Sequence, residues 1–305
     1  MIRKHTRRAA KAAFAVSVGV AIILGGTAGS ARSATAPTVK VGSKNFPEEY
    51  ILGELYTQAL KAKGFNVTYK QSIGSTEIIQ VALTSGQINF YPEYTGVIVQ
   101  DVFHNALSPS TASATYALAA KEEAGKGFTL LAATPFFDTD AIAVTNATAK
   151  KYNLHTIVDL KRVPGLTLGG LPEFQTRNTG LIGLEHQYGL TNIHFVALGS
   201  VSPYQALDSG KVLAADVFST DPPLAAPSKY TVLTDPKHLF GFENVAPIVS
   251  SALVKAAGPT FTQTVNAVSA KLTQAAILAM NRAVEVNQES PASVAAAFLK
   301  ANNLG

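Results

Sequence analysis

The pattern of apolar and polar positions after Thr38 alternates between short strand-like segments and longer helix-like segments. "TVKVGS" alternates apolar and polar residues, as a short strand does. "FPEEYILGELYTQALKAKG" instead places Ile51, Leu52 and Leu55 on one helical stripe that starts at Pro47. "NVTYKQ" then predicts a strand, "STEIIQVALTSG" a capped helix and "INFYP" a further strand. This β-α-β-α-β order predicts a parallel, doubly wound α/β sheet.

The same order of elements recurs in the second half of the chain. "LTLGG", "HFVAL" and "VLAADVF" predict strands, and helices are predicted after the first and the second of them. Gly64 recurs as Gly189 after 125 residues, and "ALTSG" from Ala82 recurs as "ALDSG" from Ala206 after 124. The alternative is chance similarity of common short words. The near-constant offset favours two lobes of similar topology.

The repeat relates two aromatic residues at the ends of strands. Tyr94 in "FYPEYTG" corresponds to Phe218 in "DVFSTDPP", 124 residues later. Ligands of open α/β sheets bind at the carboxyl ends of the strands. We therefore expect Tyr94 and Phe218 on opposite walls of one cleft between the lobes.

The candidate cleft residues suit a small cation that carries methyl groups. Aromatic faces attract such cations, and Tyr94, Phe218 and Phe242 supply rings. "PFFDTDAIAV" adds the carboxylates of Asp138 and Asp140 where the chain is expected to enter the second lobe. For any one aromatic the alternative is packing in a core. The repeat favours the functional interpretation of Tyr94 and Phe218.

Two basic residues could bind an anionic end of a ligand. Lys44 follows the first strand and precedes a helix N-terminus, which itself attracts anions. Arg177 precedes the helix of the second lobe, and its planar guanidinium suits a carboxylate. The alternatives are a solvated surface charge for Lys44 and an interlobe salt bridge for Arg177.

The N-terminal segment explains the net charge and predicts export. Five basic residues precede residue 12 and are followed by "AAFAVSVGVAIILGGTAGSA", so the rest of the +5 chain is close to neutral. A basic region, an apolar stretch and Ala-x-Ala options predict an export signal over residues 1–36, although a membrane anchor is the alternative. The chain has no cysteine, which excludes disulfides, thiolate metal sites and a cysteine-linked lipid. We expect a periplasmic or secreted protein.

Motifs of other function classes are absent from the sequence. It has no GxxxxGK[ST], GxGxxG, GxSxG or HExxH motif, and its six histidines are scattered without ligand-like spacing. A basic patch interleaved with aromatic residues, as nucleic-acid binding needs, is missing. We therefore expect no catalytic residue, no metal, no cofactor and no nucleic-acid partner.

Several segments in order resemble one known family. "VGSKNFPEEYILGELY", "GSTEI", "GQINFYPEYTG", "TPFFDTDAIAV", "LPEFQTRNTGL", "YQALDSGKV", "FSTDPPL" and "FGFENVAPIV" look like the osmoprotectant-type (glycine betaine/choline) solute-binding proteins of ABC importers. The resemblance runs from about Val39 to the C-terminus. It implies a type II periplasmic-binding fold, in which two α/β lobes joined by two crossings close on a quaternary amine.

The resemblance also implies roles for individual residues. The family's positions fall on Lys44, Tyr94, Asp138, Arg177, Phe218 and the wall from Phe242 to Asn244. Val97 and Asp140 depart from the family's pattern, since betaine binders often have a threonine and a further cage tyrosine there. Fewer rings and one more carboxylate would favour a cation over a zwitterion such as glycine betaine.

These observations predict a monomeric, non-enzymatic receptor for an ABC importer. Lobe 1 would comprise residues 37–138 and 242–305, and lobe 2 residues 139–241. The receptor would capture glycine betaine, choline, carnitine or a related betaine and deliver it to a membrane permease that works with a separate ATPase subunit. The alternatives are a binding protein for another cationic amine or an amino acid, a ligand sensor, or an enzyme on the same scaffold.

Overall fold

The computed structural model describes residues 1–2, 37–105, 109–199, 201–225 and 229–305. The predicted export signal, residues 1–36, lies outside the described residues apart from the first two. The chain divides into two compact units, Met1–Thr35 and Ala36–Gly305, and the second carries the fold described below.

The strands of the second unit have the following bounds: β1 Val39–Gly42, β2 Val67–Lys70, β3 Phe90–Tyr94, β4 Phe128–Leu130, β5 Asp140–Thr145, β6 Thr167–Gly170, β7 His194–Ala197, β8 Ala214–Phe218, β9 Tyr230–Val232 and β10 Val245–Ser250. The α-helices are α1 Pro47–Ala62, α2 Thr76–Thr84, α3 Thr95–Val97, α4 Ala112–Gly125, α5 Asn146–Tyr152, α6 Leu181–Tyr188, α7 Pro203–Asp208, α8 Ser251–Ala257, α9 Pro259–Lys271, α10 Gln274–Glu285 and α11 Pro291–Ala301. A π-helical turn spans Ile98–Val102, and 3₁₀ turns span Ile157–Arg162, Pro172–Gln175 and Pro222–Leu224.

The described strands form two five-stranded sheets with matching topology. The first has the order β2-β1-β3-β10-β4 and the second the order β7-β6-β8-β5-β9. The parallel pairing of β1 with β2 and β3, and of β6 with β7 and β8, confirms the repeat predicted from the sequence. We call the parts of the chain around these sheets lobe 1 and lobe 2.

The sheets are mixed rather than purely parallel, which corrects the sequence prediction. β10 runs antiparallel to β3 and β4, and β5 runs antiparallel to β8 and β9. Both antiparallel strands directly follow a crossing between the lobes. A strand that enters a sheet from the other lobe needs no right-handed crossover helix and can run in the opposite direction.

Each sheet is covered by apolar residues on both faces. In β3, Phe90 belongs to one core of lobe 1 and Tyr91 to the other, because successive strand residues point to opposite faces. In β5, Ile142 and Ala143 divide in the same way between the two cores of lobe 2. This burial on both faces explains why β5 and β10 are short apolar runs in the sequence.

Two crossing segments lie side by side between the lobes. The chain leaves lobe 1 after β4 and returns to it before β10, and Phe137 and Asn244 form an isolated antiparallel bridge between these segments. The carbonyl of Glu243 accepts a hydrogen bond from the backbone N–H of Asp138 at 3.1 Å. The paired crossings lie next to the predicted cleft residues, whereas the lobe boundaries at residues 138 and 241 stay a prediction.

The C-terminal helices belong to the core of lobe 1. Leu299 of α11 is 2% exposed, and it shares one apolar core with Leu52 and Leu55 of α1 and with Ile277 of α10. The last residues of the chain therefore stabilise the lobe that carries Lys44 and Tyr94.

We expect Leu299→Ala to lower the free energy of unfolding by about 2–5 kcal/mol, because it leaves a cavity in the core of lobe 1. Urea denaturation measures this loss. The neighbouring exposed Lys300→Ala is the matched control and should change stability by less than about 0.5 kcal/mol. Equal effects of the two substitutions would contradict this packing.

Candidate ligand-binding cleft

A chamber lies between the lobes at the ends of equivalent strands. β3 ends at Tyr94 and β8 ends at Phe218, and both residues line the chamber. Six of the eight predicted site residues line it: Lys44, Tyr94, Asp138, Asp140, Arg177 and Phe218. The remaining lining residues are Asn45, Phe46, Ser75, Thr76, Val97, Leu171, Glu173 and Glu243. We call this space the first chamber.

Three aromatic rings meet across the first chamber. The ring of Phe46 stacks on the ring of Phe218 with centroids 5.7 Å apart and planes 8° apart. It also lies 6.2 Å from the ring of Tyr94. Phe46 was missed in the sequence analysis, where its place immediately before Pro47 suggested only the start of a helix. The ring of Phe46 contacts an aromatic ring of each lobe, Tyr94 in lobe 1 and Phe218 in lobe 2.

Lys44 is buried and paired within lobe 1. Its Nζ contacts the carboxylate of Glu93, and both side chains are almost fully enclosed. The same ammonium lies 4.3 Å from the ring centroid of Tyr94 and 5.5 Å from that of Phe46. It can also donate to Thr76 Oγ1 at 3.4 Å. One ring face of Tyr94 therefore already contacts a cation that belongs to the protein.

Arg177 forms an ion pair between the lobes. Its Nε donates to Glu77 Oε1 at 3.0 Å and its Nη2 to Glu77 Oε2 at 3.3 Å. Burial alone would raise the pKa of Glu77, but the hydrogen bonds and charge of Arg177 outweigh burial and lower it to about 2. Glu77 is half-exposed, so solvent screens this pair. This geometry matches the alternative that the sequence left open for Arg177.

The predicted aspartates are buried at the lobe junction. Asp138 Oδ1 accepts hydrogen bonds from Ser219 Oγ and from the backbone N–H of Thr220, each at 3.0 Å. Burial and the negative charge of Glu48 nevertheless raise the pKa of Asp138. Burial also raises the pKa of Asp140 to about 6, although Arg177 opposes this. A nearby cation would stabilise the ionised form of both carboxyl groups.

Glu48 accepts hydrogen bonds from residues of both lobes, including Tyr94 of the three aromatic rings. Its Oε1 accepts a hydrogen bond from the Tyr94 hydroxyl at 2.8 Å, and its Oε2 accepts bonds from Thr220 Oγ1 and Asn281 Nδ2, each at 2.7 Å. Thr220 follows β8 of lobe 2, whereas Glu48, Tyr94 and Asn281 belong to lobe 1. The hydrogen bonds fix the hydroxyl of Tyr94 relative to the lobe junction.

Two predicted site residues do not line the first chamber. Asn244 Nδ2 donates to the carbonyls of Thr134 and Phe136, so its side chain fastens the two crossing segments. The carbonyl of Phe242 accepts from Thr95 Oγ1 at 3.1 Å. Glu243 between them lines the chamber instead, and burial with the charge of Asp140 raises its pKa. No helix or strand pattern in the sequence distinguished Glu243 from its neighbours.

The first chamber is narrow in this conformation. Its cavity volume is about 30 Å³, which holds only a few water molecules. An adjoining space of about 380 Å³ shares Phe46, Asp138, Leu171 and Phe218 with it, and we call this space the second chamber. This volume is too small for a small-molecule ligand, so binding requires the walls of the first chamber to move apart.

Within residues 37–105, 109–199, 201–225 and 229–305 no cluster of histidine and carboxylate groups has metal-ligand geometry. Among the same residues no helix has the length and apolar character needed to cross a bilayer.

The arrangement suits the binding of a cation. Carboxyl groups outnumber basic groups around the first chamber, and its two basic residues, Lys44 and Arg177, are paired with Glu93 and Glu77. Ring faces and carboxylates stabilise a positive charge, whereas paired basic residues offer little to an anion.

Comparison with known proteins relates the whole second unit to one family. The OpuAC family, described as the substrate binding domain of an ABC-type glycine betaine transport system, matches residues 37–301. A glycine-betaine-binding protein of Pseudomonas aeruginosa is 32% identical over 285 residues, which cover 89% of this chain and 90% of the relative. The glycine betaine-binding protein YehZ of Escherichia coli is 30% identical over 280 residues, covering 87% of this chain and 90% of the relative.

Solved structures show the same fold. A glycine betaine/carnitine/choline ABC transporter structure has a TM-score of 0.68 at 25% identity, covering 87% of this chain and 99% of the other. Apo YehZ from Escherichia coli has a TM-score of 0.62 at 28% identity, covering 88% and 100%. The type II periplasmic-binding fold expected from the sequence is thus confirmed.

We expect Glu93→Gln to destabilise the protein by about 3–5 kcal/mol, because it leaves the ammonium of Lys44 buried without its anion. Urea denaturation measures the change, and the double variant Lys44→Met/Glu93→Gln should recover most of it. Glu77→Gln, which breaks the half-exposed pair with Arg177, is the control and should cost less than about 1 kcal/mol. A Glu93→Gln protein as stable as the unaltered one would contradict the buried pair.

Proposed function

The chain belongs to the family of substrate-binding domains of ABC-type glycine betaine transport systems, and from this premise we propose that its first chamber captures a quaternary ammonium compound. The observation that carries the proposal is the aromatic group of Phe46, Tyr94 and Phe218 beside buried carboxyl groups. A methylated ammonium has no N–H donor, so it is held by ring faces and by unneutralised negative charge. The first chamber supplies both.

Charge balance favours a ligand with net positive charge over a zwitterion. A betaine carboxylate needs a free donor or cation, whereas Lys44 and Arg177 are already paired. Burial raises the pKa values of Asp138, Asp140 and Glu243, so a bound cation would stabilise their ionised forms. Choline and similar cations therefore fit the chamber better than glycine betaine, although the relatives from Pseudomonas aeruginosa and Escherichia coli are named for glycine betaine.

Ligand capture requires the lobes to open and close. The interlobe stack of Phe46 on Phe218 and the pair between Glu77 and Arg177 close the cleft in the structure. Opening would separate the two rings and admit the cation between aromatic residues of opposite lobes. Contacts to both lobes would then favour the closed form, as in hinge closure of binding proteins.

The receptor would pass its ligand to a membrane permease that works with a separate ATPase subunit. Family membership supports the permease, since the family is described as part of an ABC-type transport system. In this proposal the protein is an exported monomer that acts outside the cytoplasm without catalysing a reaction. Residues 1–36 would direct its export.

Calorimetry with choline, carnitine and glycine betaine tests the ligand class. Substitution of the aromatic residues of the first chamber tests whether their rings hold the cation. We expect Phe218→Leu to weaken choline binding by about two- to thirtyfold, because it keeps apolar contact but removes a cation–π interaction of about 0.5–2 kcal/mol. Phe46→Leu should have a similar effect. Phe137→Leu alters an exposed ring outside the chamber and serves as the matched control.

Two results would contradict the proposed function. The first is an absence of heat and of a thermal shift with every compound of the panel. The second is choline binding that is unchanged by Phe46→Leu and Phe218→Leu together, since the cation would then bind away from the rings.

Choline affinity should depend on pH through Asp140. A bound cation stabilises the ionised carboxylate, so binding lowers the pKa of Asp140 from about 6 and releases a proton. The contribution of Asp140 to affinity should therefore be nearly complete at pH 7 and fall by up to about tenfold at pH 5. Calorimetric titrations across this range measure the change. Asp140→Asn should flatten the profile, and a profile of opposite slope would contradict the assignment.

A further inference from the structure

The second chamber has the size and lining of a ligand subsite. Its volume of about 380 Å³ lies within the range of small-molecule pockets. Apolar residues form part of its wall, and the same stacked pair, Phe46 and Phe218, separates it from the first chamber. A ligand held at the rings could therefore extend from one chamber into the other.

The second chamber is strongly acidic. Five carboxyl groups line it, and no lysine or arginine of the described residues does. None of the five takes part in an ion pair with a described basic residue. The five residues are Glu48, Asp138, Asp216, Asp221 and Glu285. Such a concentration of uncompensated carboxyl groups is costly in the interior unless protons or a cation neutralise it.

Two wall residues carry buried oxygen atoms that lack a hydrogen-bond donor. Asp216 is 5% exposed and its Oδ1 has no partner, and Asn281 is 2% exposed and its Oδ1 has none either. Asn281 uses its Nδ2 to hold Glu48 and the carbonyl of Thr220, which keeps its amide in place. Asp216 shares a hydrogen bond with Asp140, which leaves its Oδ1 and the Oδ1 of Asn281 as the acceptors that a ligand could satisfy.

Asp216 is a diagonal neighbour of Asp140 across two strands. β5 pairs with β8 so that Asp140 lies opposite Phe218 and Ile142 lies opposite Asp216. Asp140 lines the first chamber and Asp216 the second. Burial and the charge of Asp140 raise the pKa of Asp216. The two aspartates thus form a continuous acidic strip along the route between the chambers.

We infer that the second chamber binds a second cationic group that bears N–H donors, a primary ammonium or a guanidinium, at the far end of an elongated ligand. This inference rests on the proposed function, because the first chamber holds the alkylated ammonium at the rings. A quaternary ammonium cannot donate to Asp216 Oδ1 or Asn281 Oδ1, whereas an N–H cation can. The substrate class is then an α,ω-dication with chemically different ends.

The test compares choline with trimethylammonium compounds that end in a primary amine, in a series of lengthening alkyl chains. We expect one chain length to bind about ten- to hundredfold more tightly than choline in calorimetry, since hydrogen bonds to charged groups contribute about 1.5–3 kcal/mol. Asp216→Asn or Glu285→Gln should remove most of that advantage. Glu285 is only partly buried, so its substitution keeps the test independent of folding.

Glu289→Gln is the matched control for Glu285→Gln, since Glu289 is exposed and lies outside both chambers. It should leave the affinity of both kinds of compound unchanged. If choline binds and no amine-bearing compound binds more tightly, the inference is wrong and the proposed function stands. If no quaternary compound binds but an α,ω-diamine does so through Glu285, the proposed function is wrong and the acidic subsite stands. If neither kind binds, both are wrong.

Discussion

The crowding of buried carboxyl groups between the two lobes is the constraint on which the rest of the account depends. Glu48, Asp138, Asp140, Asp216 and Glu243 are each nearly enclosed, and burial is the largest cause of their raised pKa values. Placing so many acidic groups in one low-dielectric region destabilises the folded chain unless they stay protonated or meet a cation. A binding cleft for a positive ligand gives this arrangement a function, because the ligand supplies the charge that the protein lacks.

The fold brings these groups together through its internal repeat. The carboxyl ends of β3 and β8 face one another, so that Tyr94 and Phe218 reach the same chamber from opposite lobes. The antiparallel strands β5 and β10 each start at a crossing, which adds Asp140 to one sheet and brings Glu243 beside the other. Contacts between the lobes, led by the stack of Phe46 on Phe218, hold the chamber closed. The residues that we propose as ligand-binding therefore also connect the lobes.

Much of the fold could be predicted from local sequence patterns, whereas the pairing of charges could not. Strand and helix periods predicted the repeated β-α-β-α-β order, and the offset between Tyr94 and Phe218 located two walls of one chamber. The antiparallel strands were missed because their direction depends on crossings that bring distant segments together. For Lys44 the sequence left open a site for an anionic ligand group and a solvated surface charge. The structure instead buries Lys44 and pairs it with Glu93, a residue 49 positions later whose burial no periodicity indicates. Phe46 was missed because a residue before a helix-starting proline carries no signal of the lobe it will contact.

The most direct test of the account compares choline with 3,3-dimethyl-1-butanol, a neutral compound of nearly the same shape, in calorimetric titrations of the same protein preparation. If buried negative charge and ring faces drive binding, choline should bind while the neutral compound binds at least about tenfold more weakly, a difference of about 1.4 kcal/mol. Equal affinity for the two compounds would show that shape and apolar contact suffice for binding. It would contradict the claim that the cleft selects its ligand by positive charge.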